Sequence, residues 1–397
     1  MTSDFAIVGA GIVGLTVARE LKALHPDASI CVIEKESAPA LHTSGRNSGV
    51  LHAGFYYAAD SLKAKFTRDG NRMMKEFCRE KVIAMNECGK LVVAKNEGEV
   101  EGLRELKRRG DRNGVETSLI TAAEAKALEP NARTTEFALH SPATASVDPR
   151  QVCAAVVQEL EAGGVRFLFD APVTDYRNGK LVTPKEEIEA GFILNCAGLY
   201  ADVVAEKFGA GRGYVMMPFK GVYLYWEREE TPVKMHIYPV PNLANPFLGV
   251  HFTVTTDGHA KIGPTAIPAF WRENYRALEN FRFGEAAQVM GYEARLFFTN
   301  SFGFRNLAFQ EMRKYKKRNL IADAALMVEK VDPAGFTKWG QPAIRAQLMN
   351  RKTLKLEQDF VLERTERSLH VLNAVSPAFT CSFPIAKHVV GMVEAMI

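Results

Sequence analysis

The order of residues 4–35 decides the reading of this chain: Asp4-Phe5-Ala6-Ile7-Val8-Gly9-Ala10-Gly11-Ile12-Val13-Gly14, a stretch to Leu24, then Ser29-Ile30-Cys31-Val32-Ile33-Glu34-Lys35. Phe5 to Val8 is a short apolar run closed by glycine, as expected of a strand buried on both faces. Ile12 to Leu24 has helical spacing, and His25-Pro26 stops it. Ser29 to Ile33 is a second buried strand. In Gly9-x-Gly11-x-x-Gly14, the first glycine permits a tight turn. The second lets backbone approach a pyrophosphate, and the third lets helix pack on strand. The helix N-terminus adds amide donors and a positive dipole end. Glu34, beside Lys35, ends the second strand, where a carboxylate accepts from ribose hydroxyls. The unit predicts dinucleotide binding.

Further along, Gly209-Ala210-Gly211-Arg212-Gly213 has the wrong spacing for a second dinucleotide site and follows a helix, so it reads as a helix C-terminal turn. With one site only, electrons come from the substrate itself, and the cofactor is expected to be FAD. A polar, glycine-containing loop runs from Thr43 to Gly54, with a basic helical stretch after it. Pro149 opens a helix that Gly163-Gly164 closes. Asn178-Gly179 marks a hairpin, and Gly191 to Gly198 is a buried strand running into glycine. Residues 215–265 alternate as aromatic-rich strands, 269–330 are helical in character, and 335–397 return to short strands and a terminal helix. Elements of α/β type at both ends around a different middle predict an α/β fold of interleaved domains. A Rossmann-like FAD-binding domain is expected over 1–85, 145–215 and 335–397. An α+β substrate domain on an antiparallel sheet is expected over 86–144 and 216–334.

Composition bounds the function. The 397 residues carry 47% hydrophobic and 24% charged residues, ordinary for a globular chain. A net charge of +4 suits anionic partners without implying nucleic acid. The six cysteines include no CxxC pair, which argues against a zinc site or a disulfide framework, so no metal is expected. No basic, apolar leader precedes the first strand, and no stretch approaches the roughly 20 apolar residues that span a bilayer. A cytoplasmic protein is expected, peripheral on a membrane at most.

The run Thr43-Ser44-Gly45-Arg46-Asn47-Ser48-Gly49-Val50-Leu51-His52-Ala53-Gly54-Phe55-Tyr56-Tyr57 resembles the signature of the L-2-hydroxyglutarate dehydrogenase/oxidase family, within the D-amino-acid-oxidase-like flavoproteins. Ser61 to Lys65, Cys88 to Val92, Pro218 to Gly221, Ile237 to Pro241, Pro246 to Thr253, Ile344 to Gln347 and Leu369 to Ala378 continue the likeness along nearly the whole chain. The chain departs from the family pattern at Arg46, at Lys220 and at Val375-Ser376 before Pro377, which bears on the hydroxy acid taken.

The resemblance implies oxidation of a small L-2-hydroxy acid, best L-2-hydroxyglutarate to 2-oxoglutarate, by hydride transfer to flavin N5. It lays Ser44, Gly45, Arg46, Asn47, Ser48 and Gly49 against flavin and pyrophosphate, with backbone at Val173 on the adenine. Backbone at Ser376, Pro377 and Ala378 goes to the pyrimidine end, and Ala197 and Gly198 fit close cofactor approach. Removing the hydroxyl proton needs a base near neutral pKa, for which His52 is the first candidate and His251 the second. Arg345, in an apolar strand, would hold the substrate carboxylate, with Tyr57, Lys220 and Tyr238 at the rim. Oxygen or a membrane quinone would take the electrons. The aromatic and basic stretch Phe297 to Lys317 suits either an anionic membrane or a solvated helix face. The rivals are an amino-acid or glycerol-3-phosphate oxidising enzyme on this fold, and an FAD-binding tRNA-modification protein.

Overall fold

The computed structural model describes residues 2–241 and 247–397; Pro246, in one matched segment, lies outside them. The chain divides into two units. Unit 1 comprises Met1–Asn47, Pro149–Pro218 and Ile344–Ile397, and unit 2 comprises Ser48–Asp148 and Phe219–Ala343.

Unit 1 is built on parallel strands in the order Ser368–Asn373, Glu187–Asn195, Thr2–Val8, Ile30–Ile33, Arg166–Leu168. Burial on both faces explains their continuous apolar runs. Ala6, Val8, Cys31, Ile33 and Ile193 join one core cluster, and each fully buried Val, Leu or Ile contributes roughly 1.5–3 kcal/mol. The Ile12–Leu24 helix buries Leu15, Val17 and Leu21. Its Thr16 hydroxyl donates to the Ser382 carbonyl at 3.1 Å, linking it to the terminal Ser382–Glu394 helix. The Asn178-Gly179 hairpin forms with both residues left-handed, as a two-residue turn of that kind requires. Its first strand begins at Asp175, leaving Val173 just ahead of it. Gly209 ends the Ala201–Lys207 helix with φ +78°, and Ala210 N–H returns to the Ala205 carbonyl, closing a helix C-terminal turn.

Unit 2 holds an eight-stranded sheet in the order Phe336–Trp339, Leu224–Trp226, Ala260–Gly263, His251–Val254, His236–Pro239, Lys90–Val93, Phe137–Ser141, Ser118–Thr121. Neighbours are antiparallel except His236–Pro239 and Lys90–Val93, which run parallel. Side chains alternate across a strand. Leu91, Val93, Ile237, Phe252, Val254 and Ile262 therefore share one apolar face, packed against Leu320, Ile321 and Ala324 of the Lys317–Ala325 helix. The opposite face carries Lys90, His236, Thr253 and Lys261.

Residues 48–85, grouped with the FAD-binding segments on sequence grounds, fall in unit 2. Val50–Leu51 and Met85–Asn86 both pair with Ala145–Val147. Asn71, on the Leu62–Glu80 helix, donates its amide to the carbonyls of Leu51, His52 and Ala143 at 3.0, 3.2 and 3.1 Å. These long-range ties have no local sequence signal. Among the described residues, no helix is long and apolar enough to cross a membrane.

Candidate functional site

The glycine turn of unit 1 sits at the carboxyl edge of the parallel strands, where open α/β sheets bind ligands. A Cβ at Gly14 would stand 2.0 Å from the Gly9 carbonyl oxygen, and one at Gly9 would stand 2.5 Å from that of Cys196. Both glycines are demanded by packing. Gly11 is different: its backbone is extended, and a Cβ would meet only Ser44 Oγ at 3.1 Å. Its bareness keeps the helix N-terminus approachable. Ser44 Oγ accepts from Ile12 N–H at 2.9 Å, and Asn47 donates to the Ser44 carbonyl at 2.8 Å. Thr43–Arg46 is thus a single helical turn rather than an open loop. A Cβ at Gly45 would stand 2.3 Å from the Ala40 carbonyl oxygen, and Arg150 donates to the Gly45 carbonyl at 3.2 Å.

Glu34 accepts from Ala10 N–H at 2.7 Å and from Glu36 N–H at 3.0 Å, one on each oxygen. A carboxylate has about four acceptor positions, so it can still take ribose hydroxyls. Lys35 pairs with Glu36 and lies 5.3 Å from the Tyr200 ring centroid. Ala197 N–H donates to Asn195 Oδ1 at 3.1 Å, and Gly198 takes φ +54° with nothing within 4 Å of a built Cβ. Val173 packs partly buried on the unit 1 core. Ser376 is exposed, while Pro377 and Ala378 are buried ahead of the last helix. Arg46 is half-buried, and so is Arg345, which the apolar strand had suggested would be buried. The alternation of Ala343–Asn350 sends Ile344 inward and Arg345 to the more open side. The turn, the open helix end and the acidic residue fit a dinucleotide.

In unit 2, Ser48 accepts through its carbonyl from Lys261 Nζ at 3.1 Å, and Gly49 accepts from Val147 N–H at 2.9 Å. Register builds the second sheet face. Lys90 aligns with His236, and Thr253 with Lys261, which aligns with Tyr225. The Ile237–Phe252 pair sets His236 across from Thr253 and Tyr238 across from His251. The result is a buried polar face spanning five strands. Lys90, His236 and Thr253 are 0% exposed, Tyr238 1%, and His251 and Lys261 4%.

The Lys90 ammonium lies 3.5 Å from His52 Nδ1 and over the rings of Tyr238, Tyr56 and Phe55, at 4.0, 5.3 and 5.7 Å from their centroids. Lys261 lies 4.8 Å from the Tyr223 centroid and 5.4 Å from that of Tyr225. Neither lysine has a carboxylate within ion-pair reach among the described residues. Burial pushes Lys90 down to about 7 and Lys261 down to about 8. His236 is held well below its usual value, first by burial and then by Lys90 and His251.

The His251 ring stacks on Tyr238 at 3.7 Å, and its Nδ1 lies 2.8 Å from the Gly249 carbonyl oxygen. A carbonyl only accepts, so Nδ1 carries the proton and Nε2 the lone pair in the neutral ring. His52 meets Tyr238 edge-on at 6.5 Å, so two sequence-chosen histidines flank one sequence-chosen tyrosine. Lys220 Nζ stands 3.5 Å from Asn274 Oδ1, and burial lowers its pKa. Half-buried Tyr57 has Lys63 Nζ 5.9 Å from its centroid. Lys90, His236, Lys261 and Asn71 escaped the sequence reading. For the first three there was a signal: polar residues at i and i+2 in His236-Ile237-Tyr238 and His251-Phe252-Thr253, and Lys90 and Lys261 within apolar runs.

A parallel sheet with this turn and acidic strand end, in a chain that also folds a large mainly antiparallel sheet, defines a dinucleotide-dependent oxidoreductase. The chain belongs to the FAD dependent oxidoreductase family, whose model matches residues 4–392, and within it to the family of the L-2-hydroxyglutarate dehydrogenases. It is 37% identical to L-2-hydroxyglutarate dehydrogenase of Escherichia coli over 407 residues, covering 99% of this chain and 94% of that one. It is 35% identical to the mitochondrial L-2-hydroxyglutarate dehydrogenase of Homo sapiens over 416 residues, covering 98% and 88%. FAD-bound L-alpha-glycerophosphate oxidase of Mycoplasma pneumoniae superposes with a TM-score of 0.79 at 21% identity, covering 99% of this chain and 95% of that one. Glycine oxidase of Geobacillus kaustophilus follows at 0.74 and 17%, covering 100% and 95%. Those two likenesses concern the fold. The cofactor is FAD.

Proposed function

We propose that this protein oxidises L-2-hydroxyglutarate to 2-oxoglutarate. The observation that carries the reading is the full-length identity with dehydrogenases of that substrate. The cationic face of unit 2, whose two buried lysines have no carboxylate within ion-pair reach among the described residues, supports it, since such a face suits a dicarboxylate. Unit 1 holds the FAD through Gly9, Gly11, Gly14, Glu34 and the Ser44–Asn47 turn, with backbone at Val173, Ala197, Gly198 and Ser376 to Ala378. Unit 2 is the substrate unit. Bound FAD supplies the two-electron sink that takes the hydride of the hydroxyl carbon.

The hydroxyl proton needs a base, and hydrogen bonding favours His251 over His52. The bond to the Gly249 carbonyl places the proton of the neutral His251 ring on Nδ1, the tautomer whose basic nitrogen is Nε2. The Nδ1 of His52 faces Lys90. A charged Lys90 has only protons to offer Nδ1, so the neutral His52 ring carries its own proton on Nε2. Arg345 and Lys220 are the carboxylate anchors, and Tyr57 and Tyr238 shape the pocket.

A second observation concerns the electron acceptor. Phe283, Phe298 and Phe309 are 80%, 83% and 65% exposed, on helices that also carry Arg295 and Arg305. Apolar side chains amid basic ones suit an anionic bilayer, which favours a membrane quinone over oxygen and a protein peripheral on the inner membrane face. Dye-linked turnover with product analysis tests the substrate. L-2-Hydroxyglutarate should yield stoichiometric 2-oxoglutarate, whereas turnover of glycine or glycerol 3-phosphate alone would overturn the reading.

A further inference from the structure

The polar face of the unit 2 sheet holds more buried, unsatisfied polarity than packing requires. The hydroxyls of Tyr56, Tyr238 and Thr253 and the Nε2 of His236 are buried without a hydrogen-bond partner among the described residues. Tyr238 and Thr253 lie near each other without meeting hydrogen-bond geometry, as does His236 Nε2 with the Ala145 backbone. Buried polar groups are ordinarily satisfied, so a cluster of exceptions marks a place where something else supplies the partners. Two lysines without carboxylates stand in the same row of the sheet. That combination calls for an anion rich in acceptor oxygens.

We propose that this face is a carboxylate-binding site whose positive charge is completed only when the ligand arrives: binding takes a proton from solvent and lodges it on the Lys90–His52 pair. The proposal rests on the dicarboxylate reading above and deepens it. In the geometry, the Lys90 ammonium lies near three aromatic rings and one imidazole nitrogen, with no carboxylate within ion-pair reach among the described residues to balance its charge. Its lowered pKa, about 7, agrees with an ammonium that is largely neutral in alkaline solution without ligand. An incoming carboxylate stabilises the charged form and draws the proton in. The proton is the only species transferred; its donor is buffer, and no electrons move.

The titratable groups facing the pair come from every packed element: His52 and Tyr56 from the segment after Val50–Leu51, His236 and Tyr238 from one strand, His251 from the next, Lys261 beyond, and Cys88 just before Lys90. Asp257 and Asp148 act on Lys261 from outside ion-pair distance and raise its pKa against the effect of burial. No carboxylate acts on Lys90.

Titration calorimetry of oxidised holoenzyme with 2-oxoglutarate, in buffers of different ionisation enthalpy, counts the protons. Uptake should be about one proton at pH 8, where the free lysine is mostly neutral, and should fall towards zero at pH 6, where it is already charged. Lys90→Met should weaken binding at least tenfold and halve the uptake or more. Uptake near zero at both pH values in the wild type, or unchanged uptake in the variant, would overturn the proposal. If the variant does not fold, the two wild-type counts decide alone. Flavin reduction by L-2-hydroxyglutarate is read in the same preparation. Reduction without proton uptake sinks this inference and spares the substrate reading, while binding without reduction does the reverse.

Discussion

Gly11 and Gly14 are two residues of one motif with different obligations. A side chain at Gly14 collides with the backbone oxygen of Gly9, so Gly14→Val should fail to accumulate as folded protein. Gly11 has room for a Cβ, so Gly11→Val should fold but purify colourless, because its side chain fills the approach to the pyrophosphate. Circular dichroism beside the ratio of flavin to protein absorbance separates the outcomes; a yellow Gly11→Val protein would refute the assignment of the loop. The same scale decides the base. His251→Ala should lower kcat by roughly 10²–10⁴-fold, the usual worth of general base catalysis, and flatten the acidic limb of the pH–rate profile. His52→Ala should leave that limb in place and act mainly on KM. The reverse pattern would exchange the two histidines.

Strands and helices differ in how much of them was legible. The first strand, helix and second strand declared themselves because each is local: a contiguous apolar run, a glycine turn, a stop at His25-Pro26. The same locality exposed the Asn178-Gly179 hairpin and the turn after the Ala201–Lys207 helix. The polar sheet face did not declare itself, because its row joins Lys90, His236, Thr253 and Lys261 from far-separated segments, and only strand pairing shows that they share a side. Lys90 was hidden further by the apolar Leu91-Val92-Val93-Ala94 that follows it. The allegiance of residues 48–85 was equally illegible, resting on Asn71 reaching three distant carbonyls. At this scale Lys90 has a measurable consequence. Its folded pKa of about 7 lies below the ~10.4 of an unfolded lysine. Between those values the unfolded chain binds more protons, so wild-type stability gains with rising pH; below pH 7 both states carry the charge and the burial penalty is at its full size. Lys90→Met should therefore raise Tm at pH 7 and make the rise in Tm from pH 7 to 9 shallower. Parallel Tm curves would contradict a buried, uncompensated lysine.

Taken whole, the molecule has one unit whose dinucleotide chemistry its glycine turn announces and a second whose buried polar face lies in the pairing of its strands. Its exposed phenylalanines give a prediction at this scale: Phe283→Asp with Phe298→Asp should reduce cosedimentation with anionic vesicles about tenfold while dye-linked activity persists. Undiminished cosedimentation would remove the membrane contact from the account. The central claim, an FAD enzyme taking its electrons from a five-carbon L-2-hydroxy diacid, is tested most directly by anaerobic single turnover. Purified holoenzyme is mixed with one equivalent of L-2-hydroxyglutarate, and in a parallel run with the D-enantiomer, while the visible absorbance of the oxidised flavin is followed. The account predicts full bleaching by the L-enantiomer, one 2-oxoglutarate formed per flavin, and little bleaching by the D-enantiomer. A flavin that stays oxidised with the L-enantiomer and bleaches with an amino acid or glycerol 3-phosphate would contradict it.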